Sequence, residues 1–136
     1  MRILALDWGR VRIGGAVSDE TGKIAFALDR FFETKNVIDE IIRFISEKGV
    51  EKILIGNPIS LAGEEGESSR QAREFLEKLK RKTPIPIEML DERFSSVAAQ
   101  KVLATQTVNQ KEQRLIKDNI AAQIMLQQYL DSRPND

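Results

Sequence analysis

Two short, nearly continuous apolar runs, residues 51–56 (EKILIG) and 85–90 (IPIEML), each follow a stretch whose apolar residues recur at helical spacing. This alternation is the strongest constraint on the fold, because a strand that is apolar on both faces must be covered on both. The first covering helix is predicted from Thr34, a candidate N-cap. Val37, Ile38, Ile41, Ile42 and Ile45 share one of its faces, and Gly49 stops it at C′. The second helix places Ala72, Phe75, Leu76 and Leu79 on one face and is broken by Pro84 and Pro86. Upstream, residues 2–7 (RILALD), 12–18 (RIGGAVS) and 23–28 (KIAFAL) read as three strands. Gly9-Arg10 and Asp19-Glu20-Thr21-Gly22 supply the turns between them, so an antiparallel meander is expected.

The order is three strands, helix, strand, helix, strand, then further helices. Right-handed crossovers make the first, fourth and fifth strands parallel neighbours and leave the hairpin strands outside the first. The expected fold is α/β: a mixed five-stranded sheet with helices on both faces. Residues 59–69 lack any period and read as a mobile loop. Ser95 or Ser96 is predicted to cap a helix running to about Leu103, residues 105–113 to be irregular, residues 116–130 to form a last, well-buried helix, and 132–136 to fray. The 136 residues suit one domain, 1–136, and no internal repeat is visible. In such a sheet, ligands bind beyond the carboxyl ends of the strands at the topological switch, here between the first and fourth. Asp7 and Asn57 end those two strands, and Glu92 follows the fifth.

The chain has neither cysteine nor histidine. Disulfides, thiolate and imidazole metal sites, histidine bases and Ser-His-Asp triads are therefore excluded. Chemistry must rest on carboxylates, hydroxyls, lysine, arginine or bound metal. With 21 basic and 21 acidic residues the formal charge is zero, so a nucleic-acid partner would need a local basic patch. The opening apolar run is too short for an export signal, and no stretch approaches the roughly 20 apolar residues that span a bilayer. No membrane partner is expected, and the expected location is cytoplasmic. The oligomeric state stays open between monomer and homodimer.

Asp7 closes an apolar strand, where a carboxylate is costly unless paired or bound to a cation. Pairing with Arg10 or Arg12 across the turn is the simpler reading. Asp91-Glu92-Arg93 carries the same ambiguity, and only one of its adjacent acids is expected to face the site. Asp118 sits on an otherwise apolar helix with Ala121 and Ala122 on the same side, which would let that helix approach the sheet closely. Its alternative is an acid at a helix start, favoured by the macrodipole. Three acids from separate elements suit a hard cation with oxygen ligands. Mg²⁺ or Mn²⁺, as two ions roughly 3.5–4 Å apart, would fit in-line displacement at phosphorus. Arg10, Arg12 and Arg93, with Asn57 and Ser95 at the same edge, are candidate substrate contacts. The arginines serve equally well as counter-charges to the acids.

Five ordered blocks carry a resemblance. They are Leu6-Asp7-Trp8-Gly9-Arg10-Val11-Arg12-Ile13-Gly14, Gly56-Asn57-Pro58, Gly63-Glu64-Glu65-Gly66, Asp91-Glu92-Arg93-Phe94-Ser95-Ser96 and Lys117-Asp118-Asn119-Ile120-Ala121-Ala122. Together they resemble the bacterial YqgF-type family, described as Holliday junction resolvases and as nucleases that process precursor 16S ribosomal RNA. The resemblance implies an RNase H-like fold, similar to the RuvC-type resolvases. It also implies a metal-dependent nuclease activity on precursor rRNA or branched DNA, with Asp7, Glu92 and Asp118 as catalytic metal ligands. This chain departs from the family pattern at Ala5 (often glycine), Gly15 (usually β-branched), Phe94-Ser95-Ser96 (commonly leucine-threonine-threonine) and Asn119 (frequently serine). Trp8 is bulkier than the usual residue there; packing at the strand end is expected ahead of stacking on a base. A nucleotide-binding domain of the actin and sugar-kinase type shares the aspartate-x-glycine turn, but it needs two such domains. A non-catalytic RNA- or ribosome-assembly-binding role is the third reading.

Overall fold

The computed structural model describes residues 1–9, 12–57, 66–91 and 110–133, with side chains for all of these except Thr34, Asn57, Ser68, Asp91 and 110–118. The strands are β1 (Ile3–Asp7), β2 (Arg12–Ser18), β3 (Ala25–Ala27), β4 (Phe32–Glu33), β5 (Lys52–Asn57) and β6 (Ile87–Asp91). The described helices are α1 (Val37–Lys48), α2 (Glu67–Lys80) and α3 (Gln110–Ser132). The sheet runs β3-β2-β1-β5-β6, with β4 also paired to β2. β1 is antiparallel to β2 and parallel to β5, which is parallel to β6. The meander, the two crossovers and the switch between β1 and β5 are those expected from the alternation of apolar runs.

The alternation of side chains across each strand divides the core into two layers. Leu4, Leu6, Ile13, Ile53 and Ile55 face α1 and α2, where Val37, Ile41, Phe44, Phe75 and Leu79 meet them. Ile3, Ala5, Ala16 and Leu54 face α3, against Ala122, Met125, Leu126 and Leu130. Small residues on the second face let α3 lie close to the sheet, as the alanine pattern predicted. Each fully buried Leu or Ile here contributes about 1.5–3 kcal/mol of apolar transfer energy. Gly49 ends α1 at φ 68°, ψ 39°, a left-handed conformation that favours glycine.

Several boundaries differ from expectation. A sixth strand, β4, forms because Phe32 is fully buried and meets Phe44 edge-on at 5.8 Å, which draws its backbone alongside Ile13. Thr34 consequently opens a 3-10 turn (Thr34–Asn36) and does not cap α1; Asn36 precedes the helix without a side-chain cap bond. Residues 67–69, expected in the loop, are the first turn of α2, with Glu67 near its positive end. Residues 110–113, expected to be irregular, belong to α3. Their polarity masked good helix propensity. The proposed helix from Ser95 or Ser96 and residues 59–65 of the loop lie outside the described residues.

The edge of β3 is sealed by α3. Ala25 N–H donates to Gln127 Oε1 at 2.9 Å, and Ala25 C=O accepts from Gln123 Nε2 at 3.1 Å. Gln127 Nε2 also reaches Lys23 C=O at 2.9 Å. These groups point away from β2, where an unprotected edge strand would invite another chain. Gln127→Ala is expected to lower stability by about 1 kcal/mol and to speed hydrogen exchange at the Ala25 amide. Denaturant titration with amide exchange checks both; unchanged exchange at Ala25 would show that the edge does not depend on this side chain.

Candidate active site at the carboxyl edge of the sheet

Asp7 is the last residue of β1 and is part-buried. Its Cα partners are Gly14 on β2 and Gly56 on β5. Directly paired residues share a face, so the carboxylate stands between two positions without side chains, on the face shared with Ile3 and Ala5. That is the α3 face. Gly9 makes the turn behind it: a Cβ there would fall 2.4 Å from the Arg12 carbonyl oxygen, so only glycine fits without a backbone shift. Trp8 takes the opposite face and packs on Phe75, with ring centroids 5.1 Å apart. Packing, the expected role, accounts for this ring. Its Nε1 is buried and has no partner among the described residues.

α3 runs antiparallel to β1. Asn119 lies against Gly15, Gln123 and Gln127 against Ala25, and Tyr129 against Lys52 at the start of β5. Asn119 is buried, and its carboxamide enters the β2 ladder. Leu28 N–H donates to Gly15 C=O at 3.0 Å, but the return bond of this antiparallel pair is absent. In its place Gly15 N–H donates to Asn119 Oδ1 at 2.7 Å, and Asn119 Nδ2 donates to Leu28 C=O at 2.9 Å and Arg30 C=O at 3.3 Å. The side chain also ties down the bulge between β3 and β4. Gly15 pairs with Leu6, so the backbone of Asp118, one residue closer to the carboxyl edge, stands level with the Asp7 end of β1. The helix begins at Gln110, eight positions earlier, so Asp118 is not a helix-start acid.

Asn57 ends β5, paired with Asp91 of β6. Arg12 opens β2 at this same edge. Glu92, Arg10, Arg93 and Ser95 lie outside the described residues, as does the side chain of Asp118. Among the described residues no group of three acids comes together. Of the residues that place the site, Gly14 and Gly56 could have been read from the strand pairing. Asn119 was visible only as a departure from the family pattern, and Phe31, which stacks on Arg12, gave no signal.

Asp19 and Lys52, whose titration is shifted, stand at the opposite edge and serve structure. Thr21 O–H and the N–H groups of Ile24 and Lys23 hold the Asp19 carboxyl well below the usual range, closing the β2–β3 turn. The Tyr129 hydroxyl, 2.6 Å away, raises Lys52, helped by Glu88 at 3.0 Å. A groove of about 640 Å³ between α1 and the hairpin, lined by Arg2, Val17, Phe26, Leu28, Phe44 and Lys48, also lies away from Asp7. The strand ends, with Asp7 at the switch point, are the better candidate site.

Residues 1–132 match the family model described as "RuvX: Holliday junction resolvase". A protein of Dictyoglomus turgidum named "Putative pre-16S rRNA nuclease" is 37% identical over 97% of this chain and 95% of its own length. One of the same name from Sulfurihydrogenibium sp. is 42% identical over 96% of this chain and 90% of its own. Among solved structures, Thermus thermophilus RuvC in complex with a Holliday junction substrate superposes with a TM-score of 0.58, covering 91% of both chains at 11% identity. The fold is therefore RNase H-like.

Asn119→Leu keeps the approximate shape of the side chain and removes all three hydrogen bonds. Stranding a buried donor or acceptor costs about 1–3 kcal/mol. We expect this substitution to destabilise the protein by about 3 kcal/mol, seen as a lower urea midpoint. An unchanged midpoint would mean that the bulge and Gly15 find other partners.

Proposed function

Because the chain belongs to the RuvX family, the YqgF-type family that its sequence resembles, we propose that it is a metal-dependent nuclease that processes the 5′ end of precursor 16S rRNA. The observation that carries this reading is the setting of Asp7 between Gly14 and Gly56, on the face where α3 brings Asp118 level with it. On β6, Glu88 and Leu90 belong to the face of α3, and Glu92 is the next member of that alternate series in the sequence.

The donor set fits a hard cation. No side chain stands opposite Asp7 on either neighbouring strand, and a chain without histidine or cysteine has only oxygen ligands to give. Asp7, Glu92 and Asp118 would hold Mg²⁺ or Mn²⁺, as a pair of ions. When bound, the metal supplies positive charge to the phosphoryl oxygens and makes water a stronger acid at neutral pH. The protein's own part is to position. The β-ladder fixes Asp7, and the Asn119 bonds fix the height of Asp118. Arg10, Arg12 and Arg93, with Asn57 and Ser95, orient the phosphate backbone. The names of the curated relatives favour precursor rRNA over junction DNA, and the assay distinguishes the two.

Precursor 16S rRNA and a four-way DNA junction, each incubated with and without Mg²⁺ or Mn²⁺, test the proposal. Cleavage of the RNA only with metal is expected. Asp7→Asn should lose about a hundredfold in rate, some 2.7 kcal/mol of barrier, while melting near the parent temperature in metal-free buffer. Cleavage that survives in Asp7→Asn would remove this acid from the mechanism. Preferential cleavage of the junction would reassign the substrate.

A further inference from the structure

Arg12 shares the face of Asp7. It stands two residues beyond Gly14, the partner of Asp7, which places it about 7 Å further along β2 at roughly 3.4 Å per residue. The residue directly opposite it on β4 is Glu33. Cross-strand neighbours of opposite charge usually pair. These two do not: no ion pair links them, and the guanidinium lies over the ring of Phe31, 4.8 Å from its centroid. Arg12 and Phe31 are both part-exposed. A guanidinium held over an aromatic face by cation–π attraction still has its N–H donors to offer to a phosphate.

The platform beneath it is built into the fold. Phe31 closes the bulge between β3 and β4, whose Leu28 and Arg30 carbonyls are held by Asn119, and its neighbour Phe32 is fully buried. One buried carboxamide therefore sets both the height of Asp118 and the place of Phe31. From this geometry we infer that Arg12 stacked on Phe31 forms a subsite for the phosphate next to the scissile one, about one nucleotide from Asp7 along the strand being cut. This deepens the nuclease reading and rests on it. The planar N–H fork grips two oxygens of a phosphodiester, and Phe31 acts as a positioning residue for the fork.

Binding of a short, fluorescently labelled single-stranded RNA is measured in Ca²⁺ over a range of salt concentrations, for the parent, Arg12→Ala, Arg12→Lys and Phe31→Leu. Urea midpoints confirm folding, and Arg12→Lys keeps the test open if the alanine variant is unstable. Arg12→Ala should weaken binding roughly tenfold and reduce the slope of log affinity against log salt by about 0.7. Arg12→Lys and Phe31→Leu should weaken binding with the slope unchanged, because the charge remains while the held fork is lost. A parental slope in Arg12→Ala, or parental affinity in Phe31→Leu, overturns the subsite. Because binding is read without cleavage, a parent that binds with these effects yet never cuts overturns the nuclease reading alone. A parent that cuts while Arg12→Ala binds like it overturns only the subsite.

Discussion

An antiparallel pair of residues normally exchanges two backbone hydrogen bonds, and at Gly15 and Leu28 one of the two is routed through the carboxamide of Asn119. A primary amide suits this insertion because it offers an acceptor to an N–H and donors to carbonyls at once. The Asn119 side chain and the Gly15 amide are buried, so these groups cannot fall back on water. The height of α3 on the sheet is thereby tied to the ladder itself, where apolar packing alone would tolerate sliding. The bond uses the Gly15 backbone N–H, which any residue but proline would supply. The glycine answers instead to space, since a Cβ there would meet Leu28 Cδ1 at 2.8 Å and Phe32 Cε2 at 3.4 Å.

Around Asp7 the fold resolves two opposing demands. A carboxylate at the end of an otherwise buried strand is disfavoured by desolvation, whereas the cation ligand of the nuclease reading must not be crowded by its neighbours. Glycines on both flanking strands meet the second demand without giving up the hydrogen-bonded frame. The parallel pairing of β1 with β5 and the antiparallel pairing with β2 bring one glycine from each side. The pair of glycines is thus a property of the switch point, whereas the described residues at the strands' opposite ends make structural interactions such as Lys52 with Tyr129 and Glu88.

Much of this was legible in the residues. The apolar runs and helical spacing identify β1, β2, β5, β6, α1 and α2 because burial of those side chains dominates their energetics. β4 was missed because a two-residue strand has no period, and its cause, the burial of Phe32, is a tertiary fact. The start of α3 was missed because polar helix formers carry no amphipathic signal. Asp7 could be singled out by its position after an apolar strand, and the structure adds its glycine flanks. Asn119 and Phe31 could not be assigned roles from sequence, since their partners lie across the fold. Sequence separation between Asn119 and Gly15 is 104 residues.

That separation has a consequence for the order in which the molecule comes into being. The first four strands leave the ribosome long before α3, yet the Gly15 amide, the bulge carbonyls and the β3 edge all wait for side chains of that last helix. Long-range contacts of this kind are slow to close, and a chain halted before α3 would carry an unsealed sheet edge. It would also lack Asp118. On the nuclease reading, a growing chain that emerges beside ribosomal RNA is inert until α3 has emerged and docked on the sheet.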